Sequence, residues 1–458
     1  MSASTLRAPH QSGDPACEPV PLWRNLQFQT LWTGSAASSL GVSVADVAFP
    51  LAILAVTGSP ARAGLFAAVL TIGVVAGSLP GGQLADRHDR RTVVIVAEGG
   101  RAMVTAVVAA GLILGWLSLP VLLAAAVLGV GHTVAGAARL PLVRSVVPPG
   151  QLTKALIQDE VRQNGALLAG PPIAGALYGI RALSHSIPFL SIAAAFAFSM
   201  LAAVAMKAMP RGTAGALARP GRPAPAPAGP PAEASQDGAP SGEATHGDRR
   251  AAGARAAKGT DSGMLAGVRT LWRDPVLRAV TMLIMTANLI GSGIDLVVIV
   301  ILRHHHHAPG TIGLALGAGA IGGLAGAPLV KVLHRLQPGV LLLGMGLSWI
   351  PIFALLALPF GPLWVASLLF LAMLGLPALR VLIDVLIIRQ APDEQRGRIV
   401  AGATMLISVG MPVGAAGTGL LLQWLPAQTA MLVLAAVLAA GVLYCGSKRE
   451  LWRSRWPQ

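Results

Sequence analysis

Twelve long apolar segments constrain this chain more than any other feature of its sequence. A helix needs about 20 mostly apolar residues to cross a bilayer, and each segment has about that length. One such segment could be a buried helix of a soluble protein, but twelve in succession leave too little polar sequence to surround them. The sequence therefore predicts an all-α integral membrane protein with twelve transmembrane helices, at residues 31–55, 62–84, 92–115, 118–143, 155–180, 186–208, 278–302, 309–333, 339–359, 362–388, 397–423 and 427–446.

The composition agrees with this prediction. Only 12% of the 458 residues are charged, 54% are apolar, and the mean hydropathy is +0.67, whereas soluble domains carry about a quarter charged residues. The two cysteines, Cys17 and Cys445, belong to no metal or redox motif. The sequence contains no Walker A loop, no GxSxG motif and no HExxH motif. We therefore expect neither an enzyme nor a bound cofactor or metal.

The basic residues predict how the chain is oriented. If the N-terminus is cytoplasmic, 27 of the 34 Lys and Arg residues fall in cytoplasmic segments or at the cytoplasmic ends of spans, and only Arg62, Arg181 and Arg303 fall on the outer side. Membrane proteins retain Lys and Arg on the cytoplasmic side, so we expect a multi-pass protein of the plasma membrane with both termini in the cytoplasm. The net charge of +15 is spread over every inner loop. It therefore does not indicate nucleic-acid binding.

The composition changes abruptly between spans six and seven. Residues 209–263 are rich in Pro, Ala and Gly and nearly free of large apolar side chains, so they cannot bury enough surface to fold. We predict a disordered cytoplasmic linker, acting as a plain tether or as a regulatory docking segment. The predicted domains are an N-terminal tail at 1–30, a six-helix bundle at 31–208, the linker, a second six-helix bundle at 264–446 and a C-terminal tail at 447–458.

The two predicted bundles resemble each other in sequence. Pairs that match at an offset of 244 or 249 residues are 148–154 with 392–398, Gly175 with Gly419, Asp46 with Asp295, Pro60 with Pro309 and Gly64 with Gly313. A six-span unit duplicated in parallel is typical of secondary transporters, in which the substrate binds between the halves near the membrane midplane. The sequence thus predicts two pseudo-symmetric bundles around a central site.

The strongest local motif lies in the short loop between spans two and three. Residues 82–91 read GQLADRHDRR and resemble the loop signature G-x-L-a-D-r-x-(G/D)-r-(R/K) of the major facilitator superfamily. The resemblance implies that this loop latches the two halves on the cytoplasmic side through an Asp–Arg pair near a helix N-terminus; the alternative is a solvated basic loop. The matching residues are Gly82, Asp86, Arg87, Asp89, Arg90 and Arg91. The corresponding loop after span eight has Lys331 and Arg335 but no Asp.

Within this family the chain is similar to the branch that contains the bacterial enterobactin exporter and related actinobacterial efflux proteins. The segments that carry this resemblance begin PLWRNLQF at residue 21, PLAILAVTGSP at residue 50 and VVPPGQLTKAL at residue 146. The resemblance covers residues 22–208 and 264–446, and it implies export.

A proline-containing segment in span five resembles part of an antiporter signature, G-x-x-x-G-P-x-x-G-G. Gly170, Pro171 and Gly175 match, whereas Ala166 and Ala174 stand where glycine is expected. The prolines would kink the helix. The segment therefore favours export, and a plain packing kink is the alternative.

Ionisable groups inside membrane spans are costly and are functional candidates by default. Asp46 and Asp295 lie slightly past the middle of spans one and seven, the helices that line the cavity in this fold. A carboxylate in a poorly hydrated cavity takes up a proton more readily than one in water. Either Asp could therefore couple proton entry to substrate exit; the alternative is a carboxylate that bonds to neighbouring helices. His132 in span four is a further candidate proton carrier or a packing residue.

The other charged residues in the spans have structural explanations. Glu98 with Arg101, and Arg380 with Asp384, are three and four residues apart, so each pair shares a helix face and can neutralise itself. Arg139 and Arg162 could face the cavity and attract an anionic substrate, or extend to the headgroups. The tract from His304 to His307 makes a poor metal site, because four adjacent side chains point in different directions.

These observations predict a secondary active transporter. The leading hypothesis is proton-coupled efflux of small amphipathic compounds, such as drugs, siderophores or secondary metabolites, by alternating access in a monomer. The first alternative is an uptake carrier or facilitator on the same fold. The second is a membrane sensor or scaffold that does not transport. The expected partners are the lipid bilayer, a small-molecule substrate and protons.

Overall fold

The structure, a computed structural model, describes residues 21–115, 120–180, 185–206, 272, 275–333, 335–358, 360–381 and 396–448. All regular elements in these ranges are helical. The predicted linker at 209–263, most of the two predicted tails and Asp384 lie outside the described residues, so their assignments stay predictions.

The first half contains six long helices within the described ranges. They are α1 (Leu26–Thr57), α2 (Pro60–Arg87), α3 (Arg90–Leu114), α4 (Pro120–Val146), α5 (Leu152–Gly179) and α6 (Ile187–Ala205). Polar side chains and glycine set several ends: Asn25 accepts a hydrogen bond from the Phe28 amide at the start of α1, and Gly58 ends this helix in the left-handed region at φ 62°. Asparagine is favoured at a helix start because its side chain accepts a hydrogen bond from a free backbone amide. Glycine is favoured at a helix end because it adopts a positive φ without strain.

The second half also contains six long helices in the part that the structure describes. They are α7 (Pro275–His304), α8 (Pro309–Gly326), α9 (Pro338–Leu356), α10 (Pro362–Leu374), α11 (Arg396–Trp424) and α12 (Ala427–Gly446). A 3-10 turn, Ala327–Leu329, and one helical turn, Val330–Leu333, extend α8. Pro begins the first four of these helices, where its missing N–H costs nothing. Residues 376–381 are again helical after a break at Gly375.

The described helices confirm the predicted fold class. Ten of the helices in the described residues are long and apolar enough to cross a membrane. The other two are α5 and α11, with 28 and 29 residues. The first three turns of α5 hold Lys154, Asp159, Glu160 and Arg162, which lowers the hydropathy of that helix. The twelve long helices thus coincide with the twelve apolar segments predicted from the sequence, and ten of them are apolar enough to cross a membrane by composition alone.

The two halves pack in the same way. In the first half α1 packs on α5 and α6, α2 on α4, and α3 on α4 and α6. The second half repeats each of these pairs: α7 packs on α11 and α12, α8 on α10, and α9 on α10 and α12. Glycines make the repeated contacts close. Gly73 and Gly77 of α2 lie against the α4 backbone, and Gly322 and Gly326 of α8 lie against the α10 backbone. Small residues allow such contact between membrane helices.

The halves join at one end of the bundle. They meet mainly through α2 against α11 and α5 against α8. We call the end at which α1 leads into α2, α7 into α8 and α11 into α12 the sealed end, because in the described residues Gly64 of α2 lies against Gly419 of α11 there and Gly313 of α8 lies against Gly175 of α5. We call the opposite end the open end. A separate buried cluster there, which includes Phe28, Val94 and Val143, belongs to the first half alone.

Candidate functional site

Asp46 and Asp295 lie opposite each other between the two halves. Asp46 is on α1 and Asp295 is on α7, and both side chains are exposed although their neighbours in sequence are buried. Asp46 interacts electrostatically with Asp295 and with Arg101. The two carboxylates therefore face one space that the halves enclose from opposite sides.

Neither carboxylate is held by a partner of its own. Among the described residues, no hydrogen bond or ion pair within contact distance involves Asp46 or Asp295. Two like charges that share a confined space repel each other and have lost part of their hydration, so protons or a cationic ligand stabilise them. The arrangement is chemically suited to bind and release protons.

The backbone around the two carboxylates is positioned by the same contact in each half. Ser43, three residues before Asp46, lies against Gly170 of α5, and Ser292, three residues before Asp295, lies against Gly414 of α11. A side chain at either glycine would overlap the serine side chain. The Ser292 hydroxyl also donates a 2.8 Å hydrogen bond to the Met411 carbonyl. Gly170, which matched the antiporter signature, therefore has a definite role in packing α5 against α1.

A buried polar cluster lies beside Asp46 within the first half. Glu98 Oε1 accepts a 3.0 Å hydrogen bond from Ser38 Oγ and lies 3.0 Å from Arg101 Nη1. Arg139 Nη2 also contacts this oxygen and donates to Ser199 Oγ at 3.2 Å. Glu98 and Arg101 are 0% and 1% exposed, so one carboxylate oxygen balances two buried guanidinium groups. The cluster joins α1, α3, α4 and α6.

An aromatic ring packs on Arg101, and two polar atoms of the cluster have no hydrogen-bond partner among the described residues. Its guanidinium carbon lies 3.8 Å from the centre of the Phe196 ring, a favourable cation–π arrangement. The other Glu98 oxygen, Oε2, and Arg101 Nε are buried without hydrogen-bond partners. The cluster therefore contains unsatisfied polar groups close to the space between the halves.

Arg162 of α5 forms hydrogen bonds to α1. It contacts Asp159 through Nη2 at 2.6 Å and donates to the Ser35 carbonyl at 2.7 Å and to the Ser39 hydroxyl. The structure thus places Arg139 and Arg162, which the sequence suggested as substrate ligands, in ion pairs of the first half. Their predicted contact with substrate stays a prediction.

The remaining candidate residues lie in different parts of the structure. His132 is exposed on α4 and interacts electrostatically with Arg101, Arg139 and Glu98, so it lies near the cluster and among more positive than negative groups. Arg380 is exposed. His304, His305 and His306 are exposed at the sealed end, and no cluster of metal-ligating side chains occurs among the described residues.

The loop between α2 and α3 makes contacts within its own half. The Asp89 carboxylate accepts hydrogen bonds from the Arg91 amide and the Thr92 hydroxyl and so caps α3. The Arg91 side chain donates to the Ala203 and Val204 carbonyls at the end of α6. Asp86 and Arg87 are exposed. The predicted latch to the other half stays a prediction, since residues 382–395 lie outside the described residues.

Two glycine contacts close the sealed end, and they are related by the sequence repeat. Gly64 of α2 lies against Gly419 of α11, where a Cβ added to Gly64 would be 2.7 Å from the Gly419 Cα. Gly313 of α8 lies against Gly175 of α5, where a Cβ added to Gly313 would be 3.2 Å from the Gly175 Cα. Helix backbones thus touch directly at both places.

Hydrogen bonds strengthen this closure. Ser59 Oγ donates to Gln423 Oε1 at 2.8 Å. The Leu51 carbonyl accepts hydrogen bonds from Tyr178 Oη at 3.2 Å and Arg303 Nη1 at 3.4 Å. The bonds from Ser59 and Arg303 link the two halves, so the sealed end would have to lose them on opening.

Sequence reasoning missed several of these residues. The sequence repeat identified Gly64 with Gly313, and Gly175 with Gly419, as equivalent positions. It did not predict the contacts between the halves, in which Gly64 touches Gly419 and Gly313 touches Gly175. Ser38 and Ser199 carried no signal beyond being small polar residues in apolar spans. Glu98 was matched with Arg101 only, because the three-residue spacing is visible in sequence and the contact with Arg139 on another helix is not.

The chain is similar to a known protein family and to several solved structures. A family model described as Major Facilitator Superfamily matches residues 31–335 and 280–451. The crystal structure of nucleoside transporter NupG is similar, with a TM-score of 0.69 and 11% identity, and the match covers 94% of this chain and 100% of that chain. No curated protein sequence matches the chain.

Two further solved structures share the fold. One is a bacterial homolog of the human lysosomal transporter Spinster in an inward-facing and occupied conformation, with a TM-score of 0.66, 12% identity and coverage of 95% of this chain and 99% of that chain. The other is a bacterial homologue of the iron transporter ferroportin in an inward-facing state, with a TM-score of 0.63, 16% identity and coverage of 93% and 98%. At such identities the likeness concerns the fold alone.

Proposed function

Because the chain belongs to the major facilitator superfamily and is a membrane transporter of that type, we propose that it exports small amphipathic compounds in exchange for protons. The observation that carries this proposal is the pair of carboxylates, Asp46 and Asp295, that face each other from the two halves without partners of their own. Protons entering from outside would neutralise the pair, and their release inside would drive the substrate outward.

The two ends of the bundle support a cycle of alternating access. With the orientation that the basic residues predict, the sealed end faces outside and the open end faces the cytoplasm, where a compound to be exported would enter. Rocking of the halves would break the glycine contacts and the Ser59–Gln423 bond and would close the open end. The resemblance of residues 82–91 to the family's loop signature supports a part for Asp86, Arg87 and Arg90 in that closure.

The direction of transport is supported by sequence resemblance. The segments around spans one and five resemble the enterobactin-exporter branch, and Gly170, Pro171 and Gly175 match part of an antiporter signature. We therefore favour export over uptake or facilitated diffusion. The proposal includes location in the plasma membrane, cytoplasmic termini and a monomeric carrier.

Neutralising the carboxylates tests the proposal. We expect Asp46→Asn and Asp295→Asn to fold and insert, and at least one of them to lose proton-dependent transport while it still binds substrate, because an amide cannot carry the proton. Ethidium accumulation in cells, with and without an uncoupler, would report export, and a pH-sensitive dye inside proteoliposomes would report proton movement. Glu160→Gln is a matched control, since Glu160 is an exposed carboxylate in the first three turns of α5.

Each alternative predicts a different result. If both Asn variants export normally across pH 6–8, neither carboxylate carries the proton. Substrate accumulation that rises with the protein and does not respond to the uncoupler would support uptake or facilitation. If no transport is detected for a panel of cationic, neutral and anionic compounds, but deleting residues 215–260 abolishes a cellular phenotype, the sensor hypothesis is favoured.

A further inference from the structure

An apolar groove of the first half is lined by neither Asp46 nor Asp295. It has a volume of about 480 Å³ and runs between α2, α3 and α4. Its walls include Leu84 of α2, Val96 and Gly100 of α3, and Val127 and Val130 of α4. Val96 is 69% exposed, so the groove opens to the surroundings of the bundle.

The groove exists because α2 and α3 diverge. Both helices pack on α4, α2 through Gly73 and Gly77, but they contact each other only weakly. The floor between them is made by small residues, including Ala97 and Gly131. A channel of this kind within a membrane span would expose apolar walls to any hydrocarbon chain beside the protein.

The groove has a basic mouth at the open end. His88, in the turn between α2 and α3, lines it, Arg87 precedes His88 directly and Arg90 follows it by two residues. Among the described residues neither arginine has an ion-pair partner. Of the two aspartates in this loop, Asp89 is engaged in capping α3, and Asp86 makes no ion pair with a described residue, so both arginines can attract an external anion.

We propose that this groove binds a phospholipid of net negative charge from the surrounding bilayer. One acyl chain lies in the apolar groove, and the headgroup phosphate lies at the mouth beside Arg87, His88 and Arg90. Every phospholipid carries an acyl chain that the groove can hold, so the chain contributes to binding but does not discriminate between lipids. The selectivity of the site therefore comes from the charge of the headgroup, which Arg87 and Arg90 attract.

Lipid binding to the purified full-length protein tests this inference. Native mass spectrometry in a neutral detergent would compare phosphatidylglycerol, phosphatidylcholine and glycerol 1-phosphate as added probes. We expect phosphatidylglycerol to bind about tenfold more tightly than phosphatidylcholine, and glycerol 1-phosphate not to bind, because it lacks the chain. Each of Arg87→Gln and Arg90→Gln should weaken phosphatidylglycerol binding about fivefold, whereas Arg335→Gln, in the other half at the same end, should not.

A second variant tests the groove itself. A Cβ added to Gly100 would have only the Val127 Cγ1 near it, at 4.0 Å, so Gly100→Leu fills the groove without a clash. We expect it to reduce phosphatidylglycerol binding at least as strongly as either arginine variant. Gly323→Leu on α8, where nothing lies within 4 Å of an added Cβ, is the matched control.

Several results would overturn the inference. Equal binding of the two phospholipids would remove the role of the basic mouth, and unchanged binding by Gly100→Leu would remove the role of the groove. Displacement of phosphatidylglycerol by glycerol 1-phosphate would identify a site for free phosphate esters instead. A dimer of the parent protein that Gly100→Leu dissociates would show that a second copy of the chain covers the groove.

Discussion

The Gly64→Val variant is expected to lose most of its transport activity, because the sealed end can no longer close. A Cβ at position 64 would lie 2.5 Å from the Ala415 carbonyl oxygen and 2.7 Å from the Gly419 Cα. Both are backbone atoms of α11 and cannot move aside as a side chain could. Overpacking of this kind costs about 1–3 kcal/mol, which shifts the balance between sealed and unsealed states roughly 5- to 150-fold.

Thiol labelling can distinguish this effect from misfolding. In a background with Cys17→Ser and Cys445→Ser, a cysteine introduced by Leu54→Cys is buried near the sealed end. A membrane-impermeant maleimide should label it faster in the Gly64→Val variant than in the parent. Gly323→Val provides the control, since it adds the same side chain where there is open space. Loss of transport with unchanged labelling would contradict the proposed role of the contact between Gly64 and Gly419.

The Glu98→Gln variant is expected to lose about 3–5 kcal/mol of unfolding free energy. Among the described residues, Glu98 is the one carboxylate in contact with both Arg101 and Arg139. Glu98 and Arg101 are buried, and the Arg139 side chain is 15% exposed. The amide has nearly the same shape but no charge, so it leaves two guanidinium groups uncompensated. Denaturant unfolding of the purified protein in detergent would measure the loss.

A double variant makes this prediction specific. Glu98→Gln combined with Arg139→Gln removes one of the uncompensated charges, so we expect it to recover part of the stability that the single variant loses. Glu160→Gln, which changes an exposed carboxylate, should alter the unfolding free energy by no more than about 0.5 kcal/mol. If Glu98→Gln is as stable as the parent, the cluster does not hold the first half together.

Much of the fold could be predicted because lipid imposes simple rules on sequence. Span length, the uneven distribution of Lys and Arg, and the offsets of 244 and 249 residues are all local or periodic features. They predicted the twelve helices and the duplication that the helix packing shows. The span ends were less accurate: α1 begins at Leu26 and not at residue 31, because the Asn25 cap starts the helix before the apolar segment does.

The candidate site could be predicted only in part. Asp46 and Asp295 were singled out because a carboxylate in an apolar span is rare and costly. The same argument could not distinguish them from Arg139 and Arg162, which the structure places in ion pairs. Spacing along one helix gives the pair Glu98 and Arg101, but a partner on another helix depends on how the helices rotate and cross.

The sequence by itself determined which segments enter the membrane and that the chain is built twice, since apolar length and internal repetition act without knowledge of packing. Only the tertiary structure decided which glycines touch, which arginines are neutralised and which end of the bundle is closed. These features arise from contacts between helices far apart in the chain, where differences of a few ångströms separate a backbone contact from an open path.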